Sequence, residues 1–229
     1  MDYQEELDLM EGVDKEVRRL LAAGYHDALK MDSARFLMMM TTLKNQLGRF
    51  LQNTEPAEFK PIGEIPLLVV FPNGMISYEK QLQLMRVGSQ FCHIRFDHLK
   101  IPSFAEIGEY ARPEPYLILD LEINGQTVSK DWSPIRAEAS LRIQRRRGLS
   151  FSEGLALLGS LNSRKETPPR QQLVLTNIFN SKDDDGEITM PCLDFAISVV
   201  TPVIDTTSGH HANSRNNIVS CLKDSIAYK

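Results

Sequence analysis

The chain has 229 residues, 42% hydrophobic and 24% charged, which suits a folded globule with a core of useful size. Its 26 basic residues stand against 30 acidic ones, a net charge of −4, and this excludes a general nucleic-acid binder, which needs a strong positive field. The three cysteines, Cys92, Cys192 and Cys221, are odd in number and form no C-x-x-C, which argues against a disulfide framework and for a reducing compartment.

The first residues, MDYQEELDLMEG, lack a basic segment followed by an apolar one, so they do not read as a secretory signal. Apolar runs such as Phe36–Met40 fall far short of the roughly 18 residues that a spanning helix requires. The expectation is a cytoplasmic protein without a membrane segment, with export that needs no cleaved signal left open.

Residues 3–23 predict an amphipathic helix: Leu9, Val13, Val17 and Leu20 recur at helical spacing among charged residues, and Gly24 is a natural stop. Asp32-Ser33 supplies N-cap chemistry for a second helix, in which Phe36, Met40, Leu43, Leu47 and Phe50 alternate spacings of four and three. The pair predicts a helical hairpin over residues 1–52, with Met38–Met40 read as core filler before a promiscuous binding face. Residues 53–66, with three prolines, read as a linker.

An α+β unit is expected over 66–229, or one continuous domain over 1–229. Ile65–Phe71 predicts a strand closed by the turn Pro72-Asn73-Gly74, and Ser77 caps a helix running to about Val87. Phe91–Phe96 reads as a strand. YLILDLEI at 116–123, followed by Asn124-Gly125 and QTVSKDW, carries a strong short hairpin signal. Asp120 and Glu122 alternate with apolar residues there, which predicts that they mark a solvent face. Ser133-Pro134 opens a helix that ends at Gly148.

That placement puts Arg145, Arg146 and Arg147 in the last turn, where the helix dipole favours cations. Ser150-Phe151-Ser152-Glu153 then fits a capping box that starts the next helix, near 151–161. Leu173–Phe179 and Ile188–Val200, the latter interrupted at Pro191, predict a second antiparallel hairpin around the polar turn Lys182–Gly186. A short helix is expected from about Asn217.

Several segments in this order resemble an uncharacterised bacterial family found widely in actinobacteria: LLAAGY, ISYEKQLQLMRVG, YLILDLEING and SPIRAEASLRIQRRRGLSFSEGLALL. Members carry a helical start ending in a Gly-Tyr-like pair and a central Tyr-Leu-hydrophobic-Asp strand. A Gly-Arg-x-Pro-Leu-Thr-x-x-Glu-Gly-hydrophobic-Ala-Leu segment follows, and GLSFSEGLALL at 148–158 matches its end. The resemblance covers roughly residues 15–160. It fades after 165, where the family is often rich in tryptophan and glycine, whereas the one tryptophan here is Trp132. The resemblance implies an order of elements and no activity.

Chemistry-bearing residues are sparse. Lys182-Asp183-Asp184-Asp185-Gly186 resembles a calcium loop aligned on its glycine, but the twelfth position, which needs a bidentate glutamate, is Cys192, so a solvated turn is the better reading. Cys92, His93 and His98 lack a fourth ligand at a recognisable spacing, and neither a metal nor another cofactor is expected. Cys192, Asp205, Ser208, His210 and His211 hold the residue types of a hydrolase or transferase site without an elbow motif to place the nucleophile. The leading expectation is therefore a non-enzymatic cytoplasmic protein that binds a protein partner or a small anionic ligand through Arg142, Arg145, Arg146 and Arg147. An enzyme with a site near 192–211 is the alternative, and a secreted bacterial effector is a third.

Overall fold

The structure is a computed structural model that describes residues 3–54, 63–87, 90–91, 93–94, 113–124, 127–128, 131–164, 172–176, 181–182, 188–194, 203–211, 216–223 and 225–227. It is an α+β protein in which N-terminal helices pack on antiparallel strands and further helices lie behind them.

The helical hairpin forms as its spacing predicts. α1 (Tyr3–Ala22) is followed by Gly24 at φ 83, a left-handed conformation that suits a residue without a Cβ. A single turn, α2 (Tyr25–Ala28), leads to α3 (Ser33–Asn53), and the Asp32 carboxylate accepts from Arg35 N at 2.8 Å. The apolar stripes of α1 and α3 meet each other and the first sheet in one core, where Leu20, Phe36, Leu43 and Leu47 are fully buried. Phe50 is only partly buried at its edge.

That sheet has β5 (Tyr116–Leu121) at its centre, between β1 (Ile65–Val70) and β13 (Ser225–Ala227), both antiparallel to it. Leu67, Val69, Leu117 and Leu119 face the helical hairpin, while Leu68, Val70, Tyr116 and Ile118 face a second core. The latter core is built on α6 (Phe151–Arg164) and includes side chains from α4 (Tyr78–Leu84). With both faces covered, β5 has no solvent side, and Asp120 and Glu122 are buried rather than exposed. Asp120 sits at φ 54, and beyond it the alternation reverses, so that Leu121 joins Ile118 instead of Leu119.

Three short strands follow α4, namely β2 (Arg86–Val87), β3 (Gln90–Phe91) and β4 (His93–Ile94), with β2 antiparallel to β3. After β5 come α5 (Pro134–Ile143), capped by Ser133, then β6 (Arg146–Gly148) and α6. The larger sheet runs β11 (Asn216–Ile218), β7 (Gln172–Val174), β9 (Ile188–Asp194), β10 (Val203–Ser208), β4, with β8 (Ser181–Lys182) also on β9. The β8–β9 and β9–β10 pairs are antiparallel, and β4 and β11 add parallel edges. β12 (Ser220–Leu222) pairs with β6.

Three expectations fail for one reason: long-range pairing overrides local preference. The strand before Asn124 does not pair with the described residues that follow it. Its two edges are taken by β1 and β13, and Thr127, Val128, Asp131 and Trp132 lie outside strands. Residues from Asn217 form β11, β12 and β13 instead of a helix, because each fills an open strand edge. Pro191 does not interrupt β9. Its carbonyl accepts from Leu175 N at 3.0 Å just past the end of β7, so its missing N–H falls where that partner strand stops. The helix capped by Ser77 is also shorter than expected, ending at Leu84. The linker core at 55–62 and the turn at 183–187 lie outside the described residues.

Candidate functional site

The arginine run does not extend the preceding helix. α5 ends at Ile143, Arg145 turns the chain at φ 56, and Arg146–Gly148 leave in extended form, paired with Ser220–Leu222. Neighbouring side chains on a strand point to opposite faces. The sequence reading of a cationic last turn is thereby corrected: Arg146 and Arg147 enter the molecule in opposite directions and are 4% and 1% exposed.

Arg146 meets the first sheet. Its guanidinium pairs with the Asp120 carboxylate, donates to the Asp120 carbonyl at 2.6 Å and donates through Nε to Ser220 Oγ at 2.9 Å. The other Asp120 oxygen accepts from Gly63 N at 2.6 Å. Asp120 therefore ties together the start of β1, the end of β5 and β6. These bonds hold its left-handed backbone, a conformation Asp adopts more readily than most side chains.

Arg147 forms a two-pronged pair with Glu153, at 2.7 and 2.6 Å, and donates to the Gly148 carbonyl at 3.0 Å. Glu153 also receives Ser150 N at 2.7 Å and the Tyr116 hydroxyl at 3.2 Å, while its own N–H donates to Ser150 Oγ at 3.4 Å. The capping box read from the sequence is present, and the same carboxylate neutralises a buried cation. Burial alone pushes the Glu153 carboxyl up, but the charge and hydrogen bonds of Arg147, with Ser150 and Tyr116, bring it below its ordinary value. Burial opposes the charge on Arg147 too, yet neighbouring Cys221 and Glu153 hold its guanidinium well above its ordinary value.

Cys221 lies opposite Arg147 in the β6–β12 pair and is fully buried. Burial pushes its thiol up to about 12 against the pull of Arg147 and Arg146. A thiol in that state stays protonated at neutral pH and is a poor nucleophile. Glu138 completes the cluster: one of its oxygens accepts from Gly148 N at 3.0 Å and Thr176 Oγ1 at 2.6 Å. A Cβ on Gly148 would lie 1.8 Å from that hydroxyl, so only glycine fits.

The four arginines singled out in the sequence thus separate. Arg142 is exposed beside Glu138, and Arg145 is exposed with its carbonyl accepting from Lys223 N at 3.0 Å. Arg146 and Arg147 are interior. Of the residues of the alternative site, two are brought together: Cys192, fully buried among Val174, Met190, Leu141 and Ile218, is the cross-strand partner of Asp205 on β10. His210 and His211 are exposed, and Ser208 pairs with Thr189 in the sheet backbone. His93 lies in β4, while Cys92 and His98 fall outside the described residues, as does the aspartate run. Among the described residues, no three His, Cys, Asp or Glu side chains converge as a metal site.

The large apolar side chains exposed among the described residues are Ile143, alone at the end of α5, and three on the helical hairpin. Lys44 Nζ bonds Asp14 at 2.7 and 2.6 Å, and Met10 packs by Gly48, which fixes α1 and α3 as antiparallel neighbours. Met39 and Met40 are core, but Met38 is 65% exposed, beside Leu37 at 44%, with Leu7 at 40% on α1. The methionine run is thus both core filler and surface. No helix among the described residues is long and apolar enough to cross a membrane.

The model of a family of unknown function, DUF5701, matches residues 19–163, and the chain belongs to that family. The matched span includes α3, the first two strands of the small sheet, the arginine run and nearly all of α6, and it stops where the sequence resemblance fades. No curated protein and no solved structure matches the chain.

Proposed function

We propose that this DUF5701 member is a non-enzymatic protein of the bacterial cytoplasm that binds a protein partner through the outer face of its α1/α3 hairpin. One observation carries the reading: Leu37 and Met38 stand exposed side by side on α3, the largest adjacent apolar exposure among the described residues. Apolar side chains grouped on a surface mark interaction sites more often than isolated ones do. An anionic ligand at the arginine run is the weaker reading, because Arg146 and Arg147 already neutralise Asp120 and Glu153. Cys192 and Cys221, both buried and neither in a disulfide, suit a reducing compartment.

The test is site-specific photo-crosslinking in living bacteria, with the reactive group at position 38. A discrete product that disappears when Leu37→Asp is added supports the reading. No discrete product, or one that survives Leu37→Asp, contradicts it.

A further inference from the structure

We propose that the partner which docks on this face is a second copy of the chain, related by a two-fold axis that crosses α1 and α3 at the level of the Asp14–Lys44 pair. The inference rests on the partner-binding reading above and narrows it.

The carrying observation is the order of charges on the outer stripe of α1. Glu11, Asp14, Lys15 and Arg18 fall at helical spacing on one face and are all exposed. Read backwards, that order of two acids and two bases becomes two bases and two acids. When two such helices lie antiparallel about a point between Asp14 and Lys15, Glu11 meets Arg18 of the other copy and Asp14 meets its Lys15. A two-fold contact makes each pairing twice, which is the self-complementarity that a symmetric interface requires.

The apolar residues obey the same symmetry. Lys44 contacts Asp14, so these two residues share a level along the antiparallel hairpin. Leu7 precedes Asp14 by seven residues, and Leu37 precedes Lys44 by seven. Each leucine therefore lies about 10 Å from the proposed axis, on opposite sides of it, at 1.5 Å per residue. The operation that pairs the charges also brings Leu7 of one copy level with Leu37 of the other, on neighbouring helices of the two hairpins. Acidic Asp8 and basic Arg49 at one end, and Asp32 and Arg35 at the other, add charges of both signs outside the central stripe.

Size sets the expected strength. Two helices about 30 Å long and about 10 Å apart offer a face of about 600 Å² per copy, so about 1,200 Å² in total, the lower edge of a specific interface. A dimer in the range of about 10 to about 100 μM is expected.

Sedimentation equilibrium of the full chain, from about 1 to about 300 μM, tests this. The wild type should pass from monomer to dimer. Glu11→Arg alone and Arg18→Glu alone should each weaken the dimer about tenfold, since each change places like charges together twice. The double exchange, Glu11→Arg with Arg18→Glu, should restore it. Leu37→Asp should abolish it, with unchanged circular dichroism for every variant. A wild type that stays monomeric throughout, or a double exchange no tighter than the singles, overturns the proposal. Crosslinking at position 38 separates the two readings. A product with a different protein from a monomeric chain overturns the second copy and leaves partner binding standing, whereas a product at twice the chain mass supports both.

Discussion

Glu153 shows how one side chain serves two ends. It closes the N-terminus of α6 and neutralises Arg147 where both side chains are buried. Removing one member of a buried pair costs about 3–5 kcal/mol, because the other charge is left without compensation. The folded Glu153 carboxyl lies below its unfolded value, so its contribution is present above the ordinary carboxylate range, near pH 4, and is lost as pH falls through the lower folded value. Glu153→Gln should therefore lower stability at pH 7 and flatten the acid limb of a stability-against-pH curve below about pH 4. An unchanged acid limb would mean that another carboxylate governs it. Cys221 makes a second prediction. Its thiol, buried and raised to about 12, should resist alkylation at pH 8 in the native protein and react once urea unfolds the chain, as peptide mapping would show. Rapid native labelling would contradict its placement.

At the scale of elements, the β6–α6 corner depends on a contact that admits no side chain. Gly148 lies against Thr176 and Glu138, and a methyl group there would force that hydroxyl away from the carboxylate it serves. Gly148→Ala should cost about 1–3 kcal/mol in urea unfolding, the usual range for overpacking, where a permissive turn would show almost none. The same corner shows what sequence makes legible. Ser133 and Ser150 caps, the Asp32 cap and the stop at Gly24 were readable, because capping joins groups within a few residues. The direction of Arg146 and Arg147 was not. It depends on β6 pairing with a strand more than 70 residues later, which turns a predicted helix end into an extended pair with opposite faces. Asp120 is buried against its sequence pattern for a related reason: alternation predicts a solvent face only when one side of the sheet is open.

Across the whole molecule, the hairpin and the remainder are joined by Leu67, Val69, Leu117 and Leu119, whose strand faces α1 and α3 while alternate residues serve the other core. The α+β class followed from sequence patterning. The sheet order did not, since β13 and β12 return from the far end of the chain to complete the first sheet and cover β6. The outer face of the hairpin was visible only as a methionine run, because helical spacing alone does not say which of three consecutive methionines turns outward. Arg142 and Arg145 are surface residues whereas Arg146 and Arg147 are internal keystones, and that division is open to direct test. The measurement is equilibrium urea unfolding of wild type, Arg147→Ala and Arg145→Ala at pH 7. Arg147→Ala should lose about 3–5 kcal/mol and Arg145→Ala about 1 kcal/mol or less. Equal, small losses for both would contradict the buried network and return the arginine run to the surface.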